Sequence, residues 1–198
     1  APVQVVVVPI FRKEEDRVAV AGAIDKLEAI LKDIGTVSGP LRYKVDWREE
    51  TPGYKYNHWE LRGVPFRLEI GPRDVANDAA MLVRRLDRAK ESLPMAALAQ
   101  ELPARLVGYH ADVFQRALDF REENTHEADS LGEMTEILDG PGGFIMAPWC
   151  GSAECEKAVS NENSATIRVV PFDSPDEAGA CVVDGAPSER RVLFARAY

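Results

Sequence analysis

The stretch VQVVVVPI at residues 3–10 constrains the fold more than any other. An unbroken apolar run of this length is far too short to cross a bilayer and reads as a strand covered on both faces, the condition of a strand inside a parallel sheet. A helix is then needed to make the crossover. The residues after Asp16 supply one: Asp16 is placed to cap it, Ile24, Leu27, Leu31 and Ile34 fall at helical spacing, and Gly35 stands where a left-handed C-terminal residue would. RYKVDW at 42–47 alternates like a second strand, and the segment between is long enough for the two strands to lie parallel.

Further along, the punctuation is clear. Pro52-Gly53 makes a turn, YKYNHWELRG has room for a helix of two turns ended by Gly63, and PFRLEI at 65–70 alternates Phe66, Leu68 and Ile70 on a core face with Arg67 and Glu69 on a polar one. The loop GPRDVAND leads to another strand, MLVRRL at 81–86. Residues 1–100 thus read as a small α/β domain with a mixed sheet. From Met95 to Leu138 the pattern is helical, with Leu98, Leu102, Leu106, Val113, Leu118 and Phe120 as core candidates and with Pro103 and the NTHEADS segment as interruptions. GPGG at 140–143 ends the helical part, and FIMAPW, ATIRVVPF and RRVLFARAY are strand-like. Residues 101–198 are expected to form a second, smaller α+β domain.

Composition narrows the partners. The 198 residues, 45% hydrophobic and 29% charged, suit ordered globular domains. With no apolar run of about 20 residues and no signal-peptide pattern at the first residues, a cytoplasmic setting without a membrane is expected. Three cysteines clustered in the last quarter argue against a disulfide framework and for metal binding or simple burial. The net charge of -9 speaks against a broadly basic nucleic-acid surface. Residues 42–73, however, carry seven Arg or Lys against five Asp or Glu, a basic island in an acidic chain. Such an island fits a partner that touches one patch and neutralises few phosphates.

The island also carries a set of side chains suited to reading bases. Arg67 and Glu69 share one face of a strand, Arg73 and Asp74 follow a Gly-Pro turn that can aim them at that face, and Glu60 precedes them on the short helix. Tyr54, Tyr56 and His58 offer flat groups for stacking. Guanine presents two adjacent N–H donors that a carboxylate accepts together, and O6 and N7 acceptors that suit an Arg fork. The plainer alternative is that Trp59, Leu61 and Phe66 fill the core while the charges are merely solvated. GPGG precedes a strand, so it lacks the helix N-terminus of a phosphate loop and reads as a turn. His126-Glu127 has no second histidine four residues on.

PGYKYNHWELRGVPFRLEIGPRD, followed in order by FREENTHEADS, CGSAECE, ATIRVVPFD and RRVLFARAY, closely resembles the C-terminal portion of prolyl-tRNA synthetases of the archaeal and eukaryotic type. The resemblance runs over essentially the whole chain. It implies a class II anticodon-binding domain, a mixed five-stranded sheet flanked by helices, followed by a small zinc-containing or zinc-derived α+β domain. It implies that Glu60, Arg67 and Arg73 contact the two guanines of the proline anticodon, with Tyr56 and Asp74 beside them. Cys150, Cys155 and Cys181 match zinc ligands, and Asp184 stands where metal-bearing relatives have a fourth cysteine. Such a site, closed by four protein ligands, would be structural; the alternative is a relict whose thiols are small buried hydrophobes. The terminal Tyr198 would approach the active site of the complete enzyme. No catalytic residue is expected in this stretch: ATP and Mg belong to a separate catalytic domain, which is the expected intramolecular partner. The other partner is proline tRNA through its anticodon loop, with no DNA and no membrane, and the complete ligase is expected to be a homodimer. Two rivals remain: a free-standing interaction or regulatory module that reuses the fold, and the anticodon domain of a histidyl, threonyl or glycyl synthetase, which lacks the long helix and the cysteine-bearing domain.

Overall fold

Val5–Pro9 forms β1, and all five of its residues are buried. Its side chains alternate between two layers: Val5 and Val7 pack with Ile24, Leu27, Phe66 and Leu68, whereas Val6 and Val8 pack with Trp59 and Val64. A strand with hydrophobic cover on both sides needs no polar face, which is why the run is unbroken. The structure is a computed structural model that describes residues 1–173 and 177–196. Tyr198, on which the expected approach to an active site falls, lies outside the described residues. The chain divides into two units, Ala1–Phe114 and Gln115–Tyr198. That division falls within a long helix, later than the boundary expected at residue 100.

In the first unit β1 leads to α1 (Glu14–Lys32), which buries Val20, Ala23, Ile24, Leu27 and Leu31 and carries Glu14, Glu15 and Asp16 in its first turn, where acidic groups complement the helix dipole. Asp16 therefore lies inside the helix instead of capping it. Gly35 belongs to a two-residue strand, β2 (Gly35–Thr36), paired with β3 (Gly39–Pro40). There follow β4 (Tyr43–Val45), α2 (Pro52–Leu61), β5 (Phe66–Ile70), α3 (Pro72–Ala76), β6 (Ala79–Arg84) and β7 (Lys90–Pro94). The sheet order is β4-β1-β5-β6-β7. β1 runs parallel to β4 and β5, and β6 is antiparallel to both its neighbours, so the sheet is mixed and five-stranded as expected. α4 (Leu98–Glu123) continues through Pro103. One backbone hydrogen bond is forgone there, while Leu98, Leu102 and Tyr109 stay buried against the sheet. Phe120, read as core, is 65% exposed.

The second unit orders β8 (Thr125–Glu127), α5 (Leu131–Asp139), β9 (Phe144–Pro148), α6 (Ala153–Asn163), β10 (Ala165–Val169), β11 (Gly179–Ala180), β12 (Pro187–Ser188) and β13 (Arg191–Arg196). Its four-stranded sheet runs β10-β13-β9-β8 over a core that includes Met134, Ile145, Val159, Val192 and Phe194. Gly142 and Gly143 both have positive φ. A Cβ at Gly143 would collide with the Asn124 carbonyl, which accepts from the Phe144 N–H at 2.8 Å at the start of β9. GPGG is thus a turn whose last glycine has no substitute.

Candidate nucleic-acid interface and metal centre

α2 is set by its ends. Thr51 caps it by accepting from the Tyr54 N–H at 3.3 Å, with Pro52 in the first turn. Gly63, at φ +72°, lets the chain leave while its N–H and that of Val64 bond the Glu60 and Trp59 carbonyls. The helix lies over Val6 and Val8 through Trp59 and the partly buried Tyr56. In the parallel register Val6 and Val8 stand beside Arg67 and Glu69 of β5. Those two charged residues consequently share the sheet face that α2 covers.

This changes the picture drawn from alternation alone. Every residue of β5 is buried, Arg67 and Glu69 included, at 8% and 7% exposure. The face expected to be open and polar is an ionic layer under α2. Arg67 donates from Nε to Glu69 at 2.9 Å and from its terminal nitrogen to Glu60 at 3.3 Å. Its guanidinium also sits 3.8 Å from the centre of the Tyr56 ring, a close cation–π contact. Burial, followed by the nearby Glu69 carboxylate, pushes the Tyr56 phenol up to about 12. Glu60 is the outward end of the layer: its second oxygen accepts from the exposed Arg88 at 3.1 Å, and Lys90 lies 3.7 Å from Glu69.

The structure thus brings Tyr56, Glu60, Arg67 and Glu69 together. Asp74 is close enough for its charge to bear on Tyr56, but its carboxylate accepts from the Gly71 N–H at 2.9 Å and so closes the turn into α3. Arg73 is exposed, and among the described residues no carboxylate pairs with it. Arg88 and Lys90 were not foreseen. The hairpin explains them: Arg67 stands opposite Val83, and Val83 opposite Lys90, one row across three strands. Reading KESLP as a strand would have revealed that row.

In the second unit, Cys150 Sγ is 3.6 Å from Cys155 Sγ, and Asp184 Oδ2 is 3.2 Å from Cys155 Sγ. The four donor atoms of Cys150, Cys155, Cys181 and Asp184 all lie within 4.8 Å of one another. Ser152 caps α6 and so carries Cys155 inward, where it is buried. Burial, then the Asp184 carboxylate, pushes the Cys155 thiol up to about 12. A hydrogen bond from the Ser152 backbone lowers Cys150, and one from the Ala186 N–H lowers Asp184. A group of three thiols and one carboxylate able to hold a metal ion is therefore present. Among the described residues no helix is long and apolar enough to cross a membrane.

Comparison with known proteins matches two family models to successive parts of the chain. The family model described as "Anticodon binding domain" matches residues 4–105, and that described as "Prolyl-tRNA synthetase, C-terminal" matches residues 131–198. A protein of Chloroflexus aggregans named proline–tRNA ligase is 44% identical over all of this chain, which covers 40% of that relative. One of the same name from Flavobacterium johnsoniae is 38% identical, with 39% of its length covered. The crystal structure of prolyl-tRNA synthetase from Cryptosporidium parvum complexed with halofuginone and AMPPNP aligns with a TM-score of 0.84 at 28% identity, over 100% of this chain and 41% of that one. The chain spans about two fifths of the length of the relatives it matches. It belongs to the prolyl-tRNA synthetase family and corresponds to the anticodon-binding and C-terminal domains of those enzymes.

Proposed function

We propose that the chain recognises proline tRNA by its anticodon loop, as the tRNA-reading part of a ligase that joins proline to that tRNA with ATP and Mg at a separate catalytic domain. The observation that carries this reading is the position of Glu60. Its carboxylate is aimed by Arg67 from beneath and, among the described residues, is reached from outside by the exposed Arg88 alone. A guanine edge with two N–H donors can replace Arg88 at that carboxylate, while Arg67 keeps it oriented. Arg67 then acts as a positioning residue beneath Glu60, Tyr56 covers it, and the exposed Arg73 meets the guanine O6 and N7 or a phosphate. Asp74 holds the turn that presents Arg73. Holding the loop makes delivery of the acceptor end to the catalytic domain effectively intramolecular. The working setting is the cytoplasm and the complete enzyme a homodimer.

Substituting Arg67 by alanine would strand the buried Glu69, so the informative variant is Glu60→Gln, which keeps shape and removes the carboxylate. Binding of an RNA hairpin with the proline anticodon should weaken by about 1–3 kcal/mol in Glu60→Gln, with little change for a hairpin in which both guanines are altered. Equal affinity of the unsubstituted protein for the two hairpins would refute the assignment.

The metal group is read as a structural zinc centre. A tetrahedral ion with Zn–S near 2.3 Å sets sulfur atoms roughly 3.8 Å apart, and the Cys150–Cys155 separation of 3.6 Å is close to that. Cys150, Cys155, Cys181 and Asp184 would hold the ion and leave no open position for chemistry. Its contribution is to tie β9, α6 and the loop before β12 together.

A further inference from the structure

Lys55 and Trp59 of α2 point inward, Tyr56 and Glu60 belong to the layer over Arg67, and Tyr54, His58 and Arg62 follow one another at intervals of four on an outward flank. The reading above leaves that flank unused. Arg62 donates to His58 Nδ1 at 3.0 Å and Arg48 approaches the same nitrogen at 3.3 Å, so two guanidiniums converge on one neutral acceptor. Partial burial and then the two arginines hold the imidazole below its ordinary value. Lys44, exposed, lies 5.7 Å from the Trp59 ring, and Arg48 lies 5.9 Å from the ring of Tyr54, which is 52% exposed.

The charges here are only partly balanced: besides Asp46, Glu50 is near enough for its charge to bear on Arg48. Arg48 is fixed by the buried Asp46 carboxylate, with contacts of 2.8 and 2.6 Å, and Asp46 also accepts from Trp59 at 2.7 Å. Among the described residues neither Arg62 nor Lys44 pairs with a carboxylate. Cations presented beside a half-exposed aromatic ring, in a chain whose net charge is -9, need a specific anionic partner to justify their convergence. A planar guanidinium held in place offers a fork that matches phosphate, and the neighbouring ring offers a face to a base.

We propose that Lys44, Arg48 and Arg62, with Tyr54, form a phosphate-backbone contact for the same RNA hairpin whose bases are read on the opposite flank of α2. This rests on the reading of the chain as a tRNA binder. An α-helix with its side chains is about 10 Å across, so a strand whose base enters beside Glu60 reaches the second flank within a few nucleotides. The patch contributes affinity and register without choosing sequence.

The test compares the unsubstituted chain with Lys44→Gln/Arg62→Gln and with Lys26→Gln/Lys32→Gln, which makes the same charge change on the exposed side of α1. Arg48 is left intact because it is built into the Asp46 cluster. Each protein is titrated at several salt concentrations with the proline anticodon hairpin and with a hairpin carrying both guanines altered. The patch variant should bind both hairpins roughly tenfold more weakly at about 0.1 M salt, with the salt slope reduced by about 0.7 for each lost contact, while the α1 variant stays close to the unsubstituted chain. Equal losses in the two variants, or unchanged slopes, would overturn the proposal. Displacement of the hairpin by a polyglutamate peptide as readily as by unlabelled RNA would overturn it too, by assigning the patch to an acidic protein. If the unsubstituted chain fails to prefer the proline hairpin but the patch effect persists, the decoding reading falls and the phosphate contact stands. If it binds neither hairpin, both fall.

Discussion

Asp46 shows how far one side chain is committed to the architecture. Burial opposes its charge, but the hydrogen bonds from Arg48 and Trp59 outweigh burial and hold the carboxyl well below the usual carboxylate range. A carboxylate depressed in this way contributes stability that is complete above its unfolded value of about 3.9 and is lost as the pH falls below it toward the folded value. Asp46→Asn should therefore cost about 1–3 kcal/mol at pH 7, and the gap to the unsubstituted protein should narrow in acid. Denaturant melts at pH 7 and pH 3 measure it; an equal gap at both would exclude the ionised form. No pattern in RYKVDW gave Asp46 away, because its burial comes with Trp59, thirteen positions on, which only the folded geometry brings to it, although its other partner Arg48 is two positions away in the chain. Glu60 and Arg67 were read as members of one charged set, and the structure does bring them together. That Arg67 would be walled in was not legible, since alternation reports which face a residue takes and not what covers that face.

At the scale of elements, α2 and the turn before β9 make the sharpest predictions. Trp59→Ala removes the centre of the layer over Val6 and Val8 together with the Asp46 contact, so a loss of about 3–5 kcal/mol is expected in chemical denaturation. Gly143→Ala must move the Asn124 carbonyl or abandon its bond to Phe144. A cost of about 1–3 kcal/mol follows, visible as early hydrogen exchange at the β8–β9 junction. The strands that alternate or run unbroken, β1, β5, β6, β9 and β13, were readable because burial on known faces leaves a period in the sequence. α6 escaped: AECEKAVSNEN is mostly polar and buries only Cys155, Val159 and Asn163, too few to mark a stripe. β7 escaped similarly, with four exposed residues and the single buried Leu93.

Across the whole molecule the two units have separate hydrophobic cores, which makes their contributions separable by experiment. Protein prepared without chelators should contain about one zinc per chain by metal analysis, and stripping it should lower the melting temperature of the second unit. Hairpin affinity should be retained after stripping, because the base-reading and backbone-contacting residues all lie in the first unit. Loss of RNA binding on zinc removal would contradict that separation. The sequence places a boundary at residue 100, whereas the two units meet inside α4, because a continuous helix carries no break for composition to mark. The clamp around Arg67 has one more effect, on the timing of recognition. A guanidinium already wedged between two carboxylates and a ring has no search left to perform, so adaptation falls to the RNA: hairpins whose loop nucleotides are unstacked in advance should associate faster, while dissociation stays the same.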